Sequence, residues 1–195
     1  MNVLSKVTQF SSILLITMIL FAGQAFAQEF KLNNAASKLT VYGTSNLHDW
    51  DVKAEKQSGS IVVDLSGTAQ IKQLKLVVPA ESLKSGKSGM DKNTYDALNT
   101  KKHKNITFDM KSVKSISSIG NGNYKVSVVG NLSIAGTTKS TTLNFTMNTS
   151  SSKIVLKGKT NFKMTTFGVK PPKALLGTIT TGDAVTIDFN TTFVK

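Results

Sequence analysis

The stretch Lys153-Ile154-Val155-Leu156-Lys157-Gly158-Lys159-Thr160-Asn161-Phe162-Lys163-Met164 decides the fold class. In an extended chain, successive side chains point to opposite sides. Ile154, Leu156, Gly158, Thr160, Phe162 and Met164 therefore share one face, while Lys153, Lys157, Lys159, Asn161 and Lys163 share the other. This is a strand with one dry side and one wet side. The dry side must meet other dry sides, and the wet side must meet water. Lysine facing lipid at a bilayer midplane costs about 2–4 kcal/mol per residue, so a barrel spanning a membrane is excluded for this segment.

The same period of two extends outward in both directions. Ile106, Phe108 and Met110 alternate with Thr107, Asp109 and Lys111; Val126, Val128, Leu132 and Ile134 repeat it, with Gly130 in phase. Leu143, Phe145 and Met147 follow, and Val185, Ile187, Phe189 and Phe193 close the chain. Earlier strands are predicted over 39–45, 50–55, 60–65 and 70–78. Ser58-Gly59, Ser66-Gly67, Gly120-Asn121-Gly122-Asn123, Ala135-Gly136 and Gly182-Asp183 carry the residue types of tight hairpins. The expectation is an all-β antiparallel fold of about eight or nine strands, for which alternation alone allows either a closed barrel or a sandwich. One short helix is predicted near residues 89–99. Ser88 and Asp91 have capping-box spacing, and Tyr95 and Leu98 lie one turn apart.

Ahead of the strands, Lys6, the apolar run Phe10–Phe21 and Ala25-Phe26-Ala27 have the order of an export signal with an A-x-A cleavage site. The run is shorter than the roughly 20 residues a membrane span requires. Cleavage after Ala27 is expected, giving a leader of residues 1–27, one domain over 28–195 and a periplasmic or secreted protein. Removing 27 residues from 195 leaves 168, enough for a core without staples. There is no cysteine, hence no disulfide framework and no lipid-anchor thiol.

Lys6 is the only charge in the leader, so removing it takes the formal +13 to +12. All 24 basic residues are lysine. Without arginine, the side chain suited to bidentate contacts with phosphates and bases is missing. The lysines are scattered, which argues against nucleic acid and biases the surface toward anionic partners such as lipid headgroups.

Residues with chemical potential are few. His48 and His103 are the only histidines, and the carboxylates have no ligand spacing, so neither a metal nor a cofactor is expected. Gly86-Lys87-Ser88 lacks the earlier glycine of a phosphate loop; Glu81 stands there. Ser45, His48 and Asp49 are the residue types of a hydrolytic triad, but their crowding into one turn suits a turn-capping role better. Trp50 is expected to plug a barrel end with its N–H bonded to backbone.

Three stretches resemble the YceI-like family of exported, lipocalin-like barrels. Tyr42-Gly43-Thr44-Ser45-Asn46-Leu47-His48-Asp49-Trp50 is similar to the family's opening hairpin. Leu83 to Phe108, with Met90, Asp91, Leu98 and Lys104-Asn105-Ile106-Thr107-Phe108, resembles its helix and following strand, although His103-Lys104-Asn105 stands where aromatic-Pro is common. Gly130-Asn131-Leu132-Ser133-Ile134-Ala135-Gly136-Thr137-Thr138-Lys139 matches its Gly-x-Leu-Thr-Ile-x-Gly-x-Thr-Lys hairpin. The resemblance implies an extended antiparallel lipocalin-like barrel with an internal tunnel, holding an isoprenoid chain in some members. It brings no catalytic residues.

The resulting expectation is a non-catalytic carrier or sequestering protein for a long apolar lipid, a polyisoprenoid or similar. Phe108, Met110, Phe145, Met147, Phe162 and Met164 are the expected ligand contacts, with Gly130, Gly158 and Thr160 leaving room beside them. Two alternatives stand beside it. One is a structural or stress-related protein whose barrel is filled by its own side chains; the other is a hydrolase using His48.

Overall fold

A computed structural model describes residues 27–195, and the expected leader lies outside them apart from Ala27. The strands are β1 (Gln28–Leu32), β2 (Lys38–Ser45), β3 (Trp50–Ala54), β4 (Ser58–Asp64), β5 (Gln70–Pro79) and β6 (Leu83–Lys84). They are followed by β7 (Asn105–Gly120), β8 (Asn123–Ile134), β9 (Thr137–Thr149), β10 (Lys153–Lys163), β11 (Lys173–Ala174) and β12 (Ile179–Val194). Among the described residues a single α-helix, α1 (Ser88–Leu98), interrupts them. All pairings are antiparallel. Strands β1, β4, β5, β7, β8, β9, β10 and β12 close an eight-stranded barrel through the β1–β12 pairing.

The count of twelve among the described residues exceeds the expected eight or nine by the short strands β1, β6 and β11. Three of the long strands are each broken at one level. β1 and β2 lie end to end along β12, β3 and β4 oppose them in turn, and β5 and β6 form the third pair. A break in a ladder frees backbone groups that must find other partners. Side chains supply them: Asn34 donates to the Glu55 oxygen at 2.9 Å and accepts from the Gln57 N–H at 2.7 Å. The Ser82 hydroxyl donates to the Lys56 oxygen at 3.0 Å, and the Ser37 hydroxyl accepts from the Thr192 N–H at 2.9 Å. These polar residues show no hydrophobic period, so the breaks at 33–37 and 80–82 are invisible to it, while the one between β3 and β4 is read as a turn. Ser58-Gly59, expected as a turn, instead begins β4; the interruption falls just before it, at 55–57.

The hairpin turns follow their chemistry. Asn121 and Gly122 (φ 53° and 70°) join β7 to β8, and Ala135 and Gly136 (φ 48° and 80°) join β8 to β9, both with the left-handed pairs of a type I′ turn. Gly182-Asp183 corrects the sequence reading: it lies inside the sixteen-residue β12 as a register irregularity between Thr181 and Val185. The bulge aims Asp183 at the chain after β10, where it accepts from the Thr165 N–H at 2.9 Å and its hydroxyl at 2.6 Å.

The helix start is a second correction. Lys87 is the N-cap, and Ser88 makes no capping bond. Asp91 instead reaches back to Ser85, accepting from its N–H at 2.7 Å and its hydroxyl at 2.6 Å. That pairing, the hydroxyl first, holds the Asp91 carboxyl below the ordinary aspartate range, against the opposing effect of burial. The folded group is thus harder to protonate than the unfolded one. Its contribution is complete above the unfolded value of about 3.9 and fades as pH falls from there through the lower folded value. Acid titration followed by helix circular dichroism should show α1 loosening in that window, and Asp91→Asn should remove the step.

Alternation sorts the walls as predicted. On β10, Lys153, Lys157, Lys159, Asn161 and Lys163 are exposed, while Ile154 and Leu156 are buried. The half of the barrel around β1 and β4 is solid: Phe30, Ile61, Met147, Ile154 and Phe193 are wholly buried there in one cluster. The other half, under α1, is not filled.

Candidate functional site

Cross-strand register stacks the inward residues of β10 and β12 in rows. The lowest of these, Ile154 with Phe193, belongs to the packed region, and the next is Met147, Leu156 and Thr191. Above it, Phe145 and Phe189 flank Gly158, and Phe189 also faces Leu39. The next row is Thr160, Ile187 and Val41, then Phe162, Val185 and Gly43.

Glycine at 158 lets the two rings approach over the strand. A Cβ there would lie 2.7 Å from Phe189 Cζ and 2.9 Å from Phe145 Cβ. The rings sit edge to face with centroids 6.4 Å apart. Gly130 plays the same part for Phe108, whose Cζ would be 2.4 Å from an added Cβ. These glycines were expected to leave a channel beside the large residues. They are instead occupied by aromatic rings, because a residue without Cβ is the place where a ring can lie against backbone. Phe108, Phe145 and Phe189, with Leu156 and Thr191 one row lower, together make a floor.

Above the floor is a chamber of about 120 Å³ lined almost wholly by apolar atoms, and above that one of about 740 Å³ that opens at the helical end. Val41, Leu83, Ile106, Ile134, Phe162 and Ile187 line both, so the two chambers adjoin. The residues of β12 that line the two chambers run from Ile179 to Thr191, most of the length of that strand. Such a space is long and narrow. The larger chamber lies within the range of about 300–1,000 Å³ usual for small-molecule sites.

The six expected contact residues separate by height. Phe162 lines both chambers, Met164 the upper one, and Phe108 and Phe145 the lower. Met110 packs against the buried cluster and Met147 lies within it; neither lines a chamber.

Much of the upper wall comes from residues that periodicity in strands does not mark. Met90, Thr94, Ala97 and Leu98 of α1 line it with the helical spacing of a single stripe. Tyr95, read as part of that face, turns instead to the sheet, where its hydroxyl donates to the Glu81 and Leu83 oxygens at 2.9 and 3.1 Å. Phe167 and Val169, in the irregular chain after β10, complete the wall, with Phe167 against Phe162 at 5.0 Å between centroids. The helical spacing was readable; the loop residues had no period to read.

Trp50 stands at the mouth, its N–H bonded to the Thr44 oxygen at 2.9 Å, as its place beside the opening hairpin suggested. Gly43 makes this possible: any Cβ there would fall 2.1 Å from the indole. The neighbouring turn uses its polar groups locally. The Ser45 hydroxyl donates to the His48 oxygen at 2.7 Å and accepts from the Leu47 and His48 N–H groups, and His48 Nδ1 pairs with the Asp49 main-chain oxygen at 2.8 Å. The serine hydroxyl faces backbone, not the imidazole. Among the described residues no three His, Asp or Glu side chains gather as a metal site.

A family model described as YceI-like domain matches residues 30–193, nearly the whole barrel. The chain belongs to this family. The YceI-like barrel is also seen in solved structures. Burkholderia cenocepacia BcnA shares 20% identity over 83% of this chain and 98% of its own, with a TM-score of 0.66. A polyisoprenoid binding domain from Saccharophagus degradans, implicated in plant cell wall breakdown, shares 15% over 85% and 97%, with a TM-score of 0.67. A Campylobacter jejuni YCEI protein shares 20% over 72% and 81%, with a TM-score of 0.56. At these identities the likeness is one of fold. No curated protein matches the YceI-like chain.

Proposed function

We propose that this YceI-like domain binds a long apolar chain, a polyisoprenoid or similar lipid, and carries or sequesters it in the periplasm or outside the cell without chemical turnover. The observation that carries this reading is the apolar space of about 740 Å³ adjoining a second of about 120 Å³. Each methylene transferred from water contributes about 0.8 kcal/mol, so ten carbons supply about 8 kcal/mol, comparable to an association cost of about 4–15 kcal/mol. The likeness to a polyisoprenoid binding domain supports the choice of ligand class. Phe162 and Met164, with Phe108 and Phe145 deeper, are the proposed contacts from the original six.

The test is mass spectrometry of an organic extract of the purified protein. A long-chain lipid in near-stoichiometric amount is the expected result; an empty extract from protein purified without detergent would favour a barrel that serves as structure. Intact mass of the exported form should begin at Gln28, consistent with a domain of 28–195, and retention of residues 1–27 would contradict export by cleavage.

His48 is proposed to serve the fold. Its bond to the Asp49 oxygen is exposed, so His48→Ala should lower stability by about 0.5–1.5 kcal/mol and leave the extracted lipid unchanged. A hydrolytic turnover abolished by His48→Ala at unchanged stability would establish the enzyme reading instead.

A further inference from the structure

The rim of the upper chamber carries a feature that ligand binding inside the barrel does not use. Leu175 and Leu176 stand there 71% and 109% exposed, both in left-handed backbone (φ 47° and 56°). Consecutive leucines in that region are strained, and here no burial offsets the strain. Leu47, 65% exposed, belongs to the same rim. Its turn is tied to the leucine loop by Asn46, which donates from Nδ2 to the Thr178 oxygen at 2.9 Å and accepts from the Thr180 N–H at 2.9 Å. Three bare leucines thus project at the open, helical end of the barrel.

The charge lining the mouth is of one sign. Lys87, Lys92 and Lys173 line the mouth and are exposed, and no Asp or Glu lines it. Asp49, on the turn with Leu47, is the exposed carboxylate of the rim, and Asp183 is held by Thr165. Exposed apolar residues inside a cationic collar have the chemistry that partitions into an anionic lipid surface: leucines below the headgroups, lysines among them.

We infer that the open end docks on an anionic lipid surface, with Leu47, Leu175 and Leu176 inserted and Lys87, Lys92 and Lys173 paired with headgroup phosphates, so that the chamber opens into the acyl region. This rests on the lipid-binding reading for its purpose, but its geometry is that of the outer rim alone. Docking mouth-down gives an apolar ligand a path from membrane to chamber that does not cross water.

The experiment is co-sedimentation of the protein with vesicles of phosphatidylglycerol and phosphatidylethanolamine, against vesicles of phosphatidylcholine alone. Emission of Trp50, the sole tryptophan and a mouth residue, serves as a second readout. Binding to the anionic vesicles with a blue shift of Trp50 is expected. Leu175→Ser and Leu176→Ser should each weaken it about tenfold, and Lys87→Gln, Lys92→Gln and Lys173→Gln about fivefold each. Ile119→Ser, an exposed apolar residue in the strand leading to the far hairpin, should change nothing. These positions are exposed, so unchanged melting temperatures will show that the variants are folded. Absence of binding to anionic vesicles overturns the inference. So does binding that ignores the leucines and follows salt alone, which would be general attraction to a basic protein, or a dimer that Leu176→Ser dissolves, which would make a second copy the occupant. Leucine-dependent docking by a protein whose extract holds no lipid would leave this inference standing while the carrier reading fails, and the converse result would separate them equally.

Discussion

Val41→Phe combined with Ile187→Phe is expected to yield a folded barrel that no longer holds lipid. The two residues are register partners on β2 and β12, and both line the upper and the lower chamber. Two phenylalanines there would face each other across the strands where the chambers join. Cross-strand aromatic pairs add about 0.2–1 kcal/mol, and the rings enter open space, so the melting temperature should hold within the shift expected for about 1 kcal/mol. Extracted lipid per protein should fall at least about tenfold, the loss of some two buried methylenes already reaching that factor. Stoichiometric extraction and thermal unfolding on the same preparations decide it. Retained lipid would mean that the ligand lies elsewhere, and collapse of the fold would mean that this level is already full.

The second large effect lies one row lower and has the opposite sign. Gly158→Phe should be severely destabilising, by about 3 kcal/mol or more, beyond the usual range for an overpacked core. The first atom of any side chain would fall 2.7 Å from the Asn144 carbonyl oxygen as well as 2.7 Å from the Phe189 ring. A ring can move, but a carbonyl within β9 moves only with its ladder. Denaturant unfolding should show the loss, with Gly158→Ala affected in the same direction. A variant that stays as stable as the parent would show that the floor is soft.

That prediction reverses what strand period alone suggests. Alternation places Gly158 on the inner face correctly, but says nothing of which neighbour fills the gap, since Phe189 and Phe145 reach it from two other strands. The same limit explains Met110 and Met147. Their phase is inward, but the barrel is packed at their height and open higher up, and height along a strand carries no periodic signal. The walls of β8, β9, β10 and β12 were therefore legible in the sequence, as were the β7–β8 and β8–β9 turns. The breaks at 33–37 and 80–82, made of polar residues bonding to main chain, were not, and the one at 55–57 was read a few residues late. Met90, Ala97 and Leu98 were readable as a helical stripe, yet Tyr95 shares enough of that spacing to misdirect the face. Leu175 and Leu176, in an irregular loop, have no pattern that foretells exposure.

The floor of aromatic rings makes the barrel a depth gauge. The stop consists of side chains, Phe108, Phe145 and Phe189 with Leu156 and Thr191 beneath them. Rows are two residues apart, about 6.6 Å along a strand. Shrinking one ring would drop the stop by up to one such step, while enlarging Val41, Thr160 or Ile187 would raise it by the same amount. Calibrated in this way, one backbone can measure out chains of different length by substitutions at a single level, with the lysine-coated exterior left untouched.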